Sequence, residues 1–258
     1  MIPKRIIQTA RTKDLSRLAR ASATNLKLLH PDWDYQFFDD QAVLDFLMAE
    51  FPSFEKVFHG FRFNIQKYDF FRYLAVYRLG GFYFDLDIVL SKQLGCLLPN
   101  ANVFPFEELT LSRCLREEHD MDWEIGNYAF GAQPGDPFLA RVIENCVRSQ
   151  EDPQWIVPMM RGIPRWFRFD FQVLNSTGPG MLTRTLAESR DLCGDITVLF
   201  PDNVHDRCNW HQFGAFGVHL MEGSWRDQGS LLRKWESWAR RRGMASSLRL
   251  GPKRSFAP

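Results

Sequence analysis

Apolar and polar residues alternate along the chain with two different periods, and the changes between them outline its elements. Residues 2–10 read as a short β-strand, and residues 15–29 carry apolar positions at helical spacing up to His30-Pro31, where proline disfavours continuation. Residues 35–38 suit a second strand. This β-α-β opening predicts an α/β protein on a parallel sheet. Residues 41–58 form another apolar periodic stretch, interrupted at Pro52. Residues 64–79 predict the clearest helix: a polar start, no internal glycine or proline, and Gly80-Gly81 to supply a left-handed end. A strand over 82–90 follows directly. Shorter strands are expected at 103–106 and 125–131 and a helix at 137–149; residues 178–189, 196–200 and 217–220 complete the set. Residues 150–171, rich in Trp, Pro, Met and Arg, have no regular period and read as a substrate-side excursion rather than a new domain. No internal repeat is present.

With 258 residues, 45% of them hydrophobic and 14% aromatic, the chain can bury a large core, which excludes global disorder and favours one elaborated domain. The expectation is a catalytic domain over 1–229 followed by a basic amphipathic segment over 230–258. The net charge of +1 conceals an asymmetry: residues 226–258 carry +7 and the remainder −6. A mildly acidic body argues against nucleic acid as a partner. In the tail, Leu231, Leu232, Trp235 and Trp238 fall on one helical face with Arg233, Lys234 and Arg240 to Arg242 around the other, a candidate for peripheral contact with an anionic membrane. Five cysteines, odd in number and without a C-x-x-C pair, suggest reduced thiols. Neither a signal peptide nor a membrane-spanning run is evident, so the expected location is the cytoplasm, with the inner face of the membrane as the candidate peripheral site.

Three D-x-D triplets occur, at Asp32/Asp34, Asp85/Asp87 and Asp120/Asp122. Only the second interrupts an apolar strand. On a continuous strand Tyr83, Asp85 and Asp87 would share one face, with the two carboxylates ~6.5 Å apart along the backbone. Two acids facing one way repel unless a cation joins them. A hard divalent ion such as Mn²⁺ or Mg²⁺ would do so, with diphosphate oxygens completing its shell. In the preceding helix Asp69 and Arg72, three residues apart, lie among Tyr68, Phe70, Phe71, Tyr73 and Leu74, where charges must be paired or used.

The run Lys67-Tyr68-Asp69-Phe70-Phe71-Arg72, followed by Leu79-Gly80-Gly81-Phe82-Tyr83-Phe84-Asp85-Leu86-Asp87, resembles the signature of glycosyltransferase family 32, which contains capsular polysaccharide synthesis enzymes and yeast initiating mannosyltransferases. It is also similar to the catalytic domains of clostridial glucosylating toxins. Ile2-Pro3-Lys4 with Gln8-Thr9, Asn127, Thr177-Gly178-Pro179, and His219 before Ser224-Trp225 fall in the same order, so the resemblance spans roughly residues 2–226.

The resemblance implies a GT-A fold with a mixed, mostly parallel sheet, a nucleotide-diphosphate sugar as donor, a divalent metal and retention of anomeric configuration. The acceptor would be a glycan, a lipid-linked glycan or a protein. It implies Asp87 at the metal and Asp85 at the metal or the ribose; His219 as a further metal or diphosphate ligand; and Ser224 and Trp225 closing over the phosphates. Asp69 and Arg72 would contact the donor sugar, Gln8 and Thr9 would line the nucleoside pocket, and Tyr83 and Asn127 would complete the donor site. The first strand departs from the pattern by carrying Ile7-Gln8-Thr9-Ala10 in place of His-Gln and an aromatic, which leaves base stacking unassigned.

Rival readings remain. Residues 82–89 also match the D-x-D-x-[TV] strand end of haloacid-dehalogenase phosphatases, with Asp85 as nucleophile, although no later acidic G-D-x-x-x-D motif accompanies it. A nucleotide-sugar-binding pseudo-enzyme would keep the pocket without turnover. Cys193, His205, Cys208 and His211 form a zinc candidate without close paired spacing.

Overall fold

A computed structural model of the protein describes residues 1–202 and 210–221, apart from the side chains of Trp166 and Cys193. The chain opens with β1 (Arg5–Thr9), α1 (Arg17–Leu29) and β2 (Asp34–Phe38). Ser16 caps α1 by accepting from the Ala19 N–H, and the buried residues Ala19, Ser22, Ala23 and Leu26 follow the i, i+3, i+4, i+7 spacing of a single helical stripe. The periodic stretch over 41–58 resolves into α2 (Asp40–Glu50), a 3-10 turn at Pro52 and α3 (Glu55–Gly60).

Helix α4 (Asn64–Leu79) occupies the predicted span. It is buried on all sides from Asp69 to Val76, so it is an interior helix rather than an amphipathic cover. Gly80 ends it at φ +64°, where an added Cβ would lie 2.7 Å from both Pro3 and Pro134. Beyond it come β3 (Gly81–Phe84), β4 (Ile88–Leu90), β5 (Asn102–Leu109), α5 (Arg113–His119), β6 (Trp123–Ile125), β7 (Ala129–Ala132) and α6 (Pro137–Glu151). The 150–171 excursion consists of three 3-10 turns leading into α7 (Arg168–Ser176), then α8 (Pro179–Glu188), β8 (Ile196–Leu199), β9 (Gln212–Phe213) and β10 (Gly217–His219).

The main sheet runs β2-β1-β3-β7-β5-β6, with β8 also on β5. The α/β class is as expected. The sheet is mixed: β1–β2, β1–β3 and β5–β8 are parallel, while β3–β7, β5–β7 and β5–β6 are antiparallel. Alternation splits the core into two layers. Ile7, Tyr83, Phe104 and Phe130 face the layer that contains α4 and α6, and Ile6, Phe82, Phe84, Val103 and Ala129 face the layer that contains Leu26 of α1. Because β3 and β5 run the same way and β7 runs against them, the carboxyl ends of β3 and β5 and the amino end of β7 meet at one edge.

Two sequence expectations change here. The strand expected over 82–90 is two strands in two sheets, since β3 lies in the main sheet and β4 belongs to a separate β4-β10-β9 sheet. The strand expected over 125–131 is likewise split into β6 and β7. Residues Met1–Met221 form one compact unit. The segment 230–258 lies outside the described residues, and among the described helices none is long and apolar enough to cross a membrane.

Candidate active site

The site is built where β3 stops. The Asp85 N–H donates to the Tyr128 carbonyl at 2.7 Å, drawing the chain towards the start of β7, and the Asp85 carbonyl accepts from the Ile88 N–H at 3.3 Å. That closes a tight turn over Asp85–Asp87. The two acids therefore do not share one strand face, as a continuous strand would have required; the turn itself brings them together. The third member arrives from the second sheet. In the antiparallel β10–β4 pair His219 stands opposite Ile88, and the Leu220 N–H donates to the Asp87 carbonyl at 2.9 Å. His219 Nε2 thus lies 3.3 Å from Asp87 Oδ1.

Asp85, Asp87 and His219 each offer a ligand atom, and these atoms lie within 4.8 Å of one another. Two carboxylates and an imidazole form a donor set that suits a hard or borderline divalent ion. The charges fit as well: burial raises the Asp85 carboxyl, Arg72 opposes that, and the neighbouring Asp87 reinforces it. Burial lowers His219, but its bond to Asp87 and the charges of Asp87, Glu107 and Asp85 outweigh this and raise it overall.

Arg72 ties this turn to α4. Its Nη1 lies 3.2 Å from Asp85 Oδ1 and donates to the Asn127 carbonyl at 2.8 Å, while its Nη2 pairs with Asp69 at 3.1 Å. The guanidinium also lies over the Tyr83 ring, 4.6 Å from its centroid, and the Tyr83 hydroxyl donates to Asp85 at 2.9 Å. Asp69 accepts in addition from the Asn127 amide at 3.1 Å and the Thr177 hydroxyl at 2.9 Å. Even so, burial pushes its carboxyl up to about 6 against the pull of Arg72. Asp69, Arg72, Tyr83, Asp85 and Asn127 are thereby one hydrogen-bonded network rather than separate site residues.

Gln8 and Thr9 sit at the carboxyl end of β1, next to the turn, with their polar atoms directed inward. Gln8 is fully buried; its amide lies 3.4 Å from the Asp85 carbonyl, and its Oε1 accepts from Tyr35 at 2.8 Å. The Thr9 hydroxyl donates to the Phe38 carbonyl. Ser224 and Trp225 lie outside the described residues, as do His205 and Cys208 of the zinc candidate.

Two neighbours escaped the sequence reading. Tyr128 stacks on His219 with ring centroids 4.3 Å apart and planes 22° from parallel, and its hydroxyl donates to the Gln212 carbonyl at 3.0 Å. Glu107, near the end of β5, has a buried Oε2 without a hydrogen-bond partner and lies 3.7 Å from His211. Burial pushes its carboxyl up to about 8, with His219 opposing and Glu108 and Glu124 adding repulsion. An acid at the inward end of an apolar strand, in Phe104-Pro105-Phe106-Glu107, is the signal that could have found it.

A profile of the glycosyltransferase sugar-binding region containing the DXD motif matches residues 16–106, which include Asp69, Arg72, Asp85 and Asp87. The chain is similar to inositol phosphoceramide mannosyltransferase 3 of Schizosaccharomyces pombe, with 25% identity over 250 residues covering 87% of this chain and 60% of that protein. To inositol phosphoceramide mannosyltransferase 2 of the same organism it is 34% identical over 149 residues, covering 58% of this chain and 39% of that protein. The chain therefore spans less than two thirds of the length of either relative. Among solved structures it is similar to the PaToxG glycosyltransferase, with a TM-score of 0.49, 16% identity, and coverage of 74% of this chain and 71% of that one.

Proposed function

We propose that the chain is a metal-dependent, retaining glycosyltransferase of the GT-A type that moves a sugar from a nucleotide-diphosphate donor to a glycan, lipid-linked glycan or protein acceptor. The observation that carries this reading is the convergence of Asp85, Asp87 and His219 from two sheets on one point. Asp85, Asp87 and His219 would hold Mn²⁺ or Mg²⁺. The ion would offset the charge that develops on the departing diphosphate. Mannose is the sugar we put first, because both relatives bear the name mannosyltransferase.

The protein's own groups have separable tasks. Arg72 fixes the Asp85 carboxylate, and Tyr83 satisfies the same group from beneath. Asp69 and Asn127 are bonded to each other and held by Thr177, Tyr73 and Arg72, and in the proposal they back the donor-sugar side of the site, with Asp69 and Arg72 its nearest groups. Tyr128 fixes the plane of His219. Gln8, bonded to the Asp85 carbonyl and Tyr35, and Thr9, bonded to the Phe38 carbonyl, are proposed to line the nucleoside side, and Ser224 and Trp225 to close over the phosphates.

A phosphatase reading would make Asp85 a nucleophile. Its carboxylate is engaged by Arg72 and Tyr83, which lowers its availability for in-line attack. The deciding experiment supplies a panel of GDP- and UDP-sugars with Mn²⁺ and follows release of the nucleoside diphosphate and the fate of the sugar. Donor cleavage that needs the metal and is lost in Asp87→Asn supports the transferase. Phosphate release from phosphomonoesters with no use of any nucleotide sugar supports the phosphatase, and donor binding without cleavage supports the pseudo-enzyme.

A further inference from the structure

Glu107 has no task in the transfer proposed above, although several features of the fold hold it in place. It follows the apolar run Phe104-Pro105-Phe106 near the carboxyl end of β5, at the edge where β3 delivers Asp85. Its two oxygens are placed differently. Oε1 lies 3.7 Å from His211 Nδ1. Oε2 is buried over Gly126, where an added Cβ would stand 2.4 Å from it and 2.6 Å from Cε1 of Tyr128. A side chain at position 126 would therefore displace either the carboxylate or the ring.

His211 holds the other side at a backbone cost. Its φ of +54° lies in the left-handed region, which a non-glycine residue occupies only where its surroundings fix it. From that position its ring reaches Glu107, and its carbonyl accepts from the His219 N–H at 2.9 Å. Glu107 and His219 are thereby joined through one residue.

His219 has the complementary need. Its Nε2 is turned to Asp87 at 3.3 Å, while its Nδ1 is buried and has no hydrogen-bond partner among the described residues. Tyr128 covers the face of the imidazole, and its hydroxyl is bonded elsewhere, to the Gln212 carbonyl. A metal-bound imidazole ordinarily gives its second N–H to a carboxylate, a carbonyl or a water, which fixes its tautomer and strengthens it as a ligand. The carboxylates that act most strongly on His219 are Asp87, Glu107 and Asp85. Two of these are candidate ligands of the ion itself, which leaves Glu107. His219 is in turn the charge that acts most strongly on Glu107. A buried donor and a buried acceptor without partners are each costly, and the two costs are offset if the groups serve one another.

We propose that Glu107 is a positioning residue for the metal site: its carboxylate accepts a hydrogen bond from the His219 Nδ1–H, directly or across one water, and so leaves the Nε2 lone pair to the ion. This rests on the Asp85-Asp87-His219 site proposed above, and it gives Glu107 no contact with donor or acceptor.

The test measures Mn²⁺ binding, through the electron paramagnetic resonance of the free ion, in the full-length wild type, Glu107→Leu and Glu107→Gln, beside Asp87→Asn. Leucine removes the acceptor and should weaken binding by about 10–100-fold, the range for groups that orient metal ligands. Glutamine keeps an acceptor oxygen without the charge and should fall between leucine and the wild type. Circular dichroism and thermal unfolding monitor the folding of both variants. The second readout is the His219 Nδ1 proton of the Mg²⁺-loaded protein, followed by nitrogen-edited NMR on histidine-labelled samples. It should exchange slowly in the wild type and be lost to exchange in Glu107→Leu. A role in packing alone would lower the melting temperature without moving that proton. Mn²⁺ affinity unchanged in both variants, or an Nδ1 proton unchanged in Glu107→Leu, would overturn the proposal and leave the metal site standing. A wild type that binds no Mn²⁺ would overturn the metal site itself, and this proposal with it.

Discussion

Arg72 stands between two carboxylates, 3.1 Å from Asp69 on its own helix and 3.2 Å from Asp85 in the turn beyond β3. Helix α4 and the D-x-D turn are thus joined through one buried cation. Arg72→Met would leave two carboxylates without their counter-charge in a site where burial already raises both. The expected loss is about 3–5 kcal/mol by urea denaturation. Arg72→Lys should recover only part of it, because an ammonium cannot reproduce the forked contacts to Asp69, Asp85 and the Asn127 carbonyl.

Tyr128 acts on His219 by stacking, with the hydroxyl anchored at Gln212. Tyr128→Phe keeps the ring and should change little. Tyr128→Ala frees the imidazole and should weaken Mn²⁺ binding by about 10–100-fold, in the range seen when groups that orient metal ligands are removed. Titration followed by the electron paramagnetic resonance of free Mn²⁺ would measure both.

Glu107 predicts a pH dependence of stability. Its folded-state value of about 8 lies above the ordinary 4.5, so its contribution is fully present below about 4.5 and is lost as pH rises through about 8. Glu107→Gln removes this dependence. The variant should melt close to the wild type at pH 5 and above it at pH 9, a crossover readable by differential scanning calorimetry.

Gly80→Ala tests the join between α4 and β3. At φ +64° an alanine is strained, and its methyl would meet the rings of Pro3 and Pro134. A destabilisation of about 1–3 kcal/mol is expected, again from urea denaturation.

The sequence made parts of this architecture plain for physical reasons. Helix α4 is uninterrupted by glycine or proline and ends at Gly80, so local rules locate it. Asp69 and Arg72 stand out because charge among aromatics demands a partner. The break at Asp85 was not legible, because Phe82 to Leu90 is apolar throughout apart from the two acids and the interruption comes from a distant acceptor, the Tyr128 carbonyl. Tyr128 and Glu107 were missed for the same reason: what distinguishes them is His219 and His211, more than 80 residues away in sequence. Gln8 read as a pocket residue from its place on β1, and only the fold shows its amide turned towards the Asp85 carbonyl.

The central claim is that Asp85, Asp87 and His219 form a metal site at which a nucleotide-sugar donor is held. Thermal unfolding in the presence of nucleotide-diphosphate sugars, with Mn²⁺ or with EDTA, tests it directly, because a ligand that binds only the folded state raises the midpoint by mass action. The account predicts a rise for at least one donor that requires Mn²⁺ and disappears in Asp87→Asn. A midpoint that no donor shifts, or a shift that persists in EDTA and in Asp87→Asn, would contradict it.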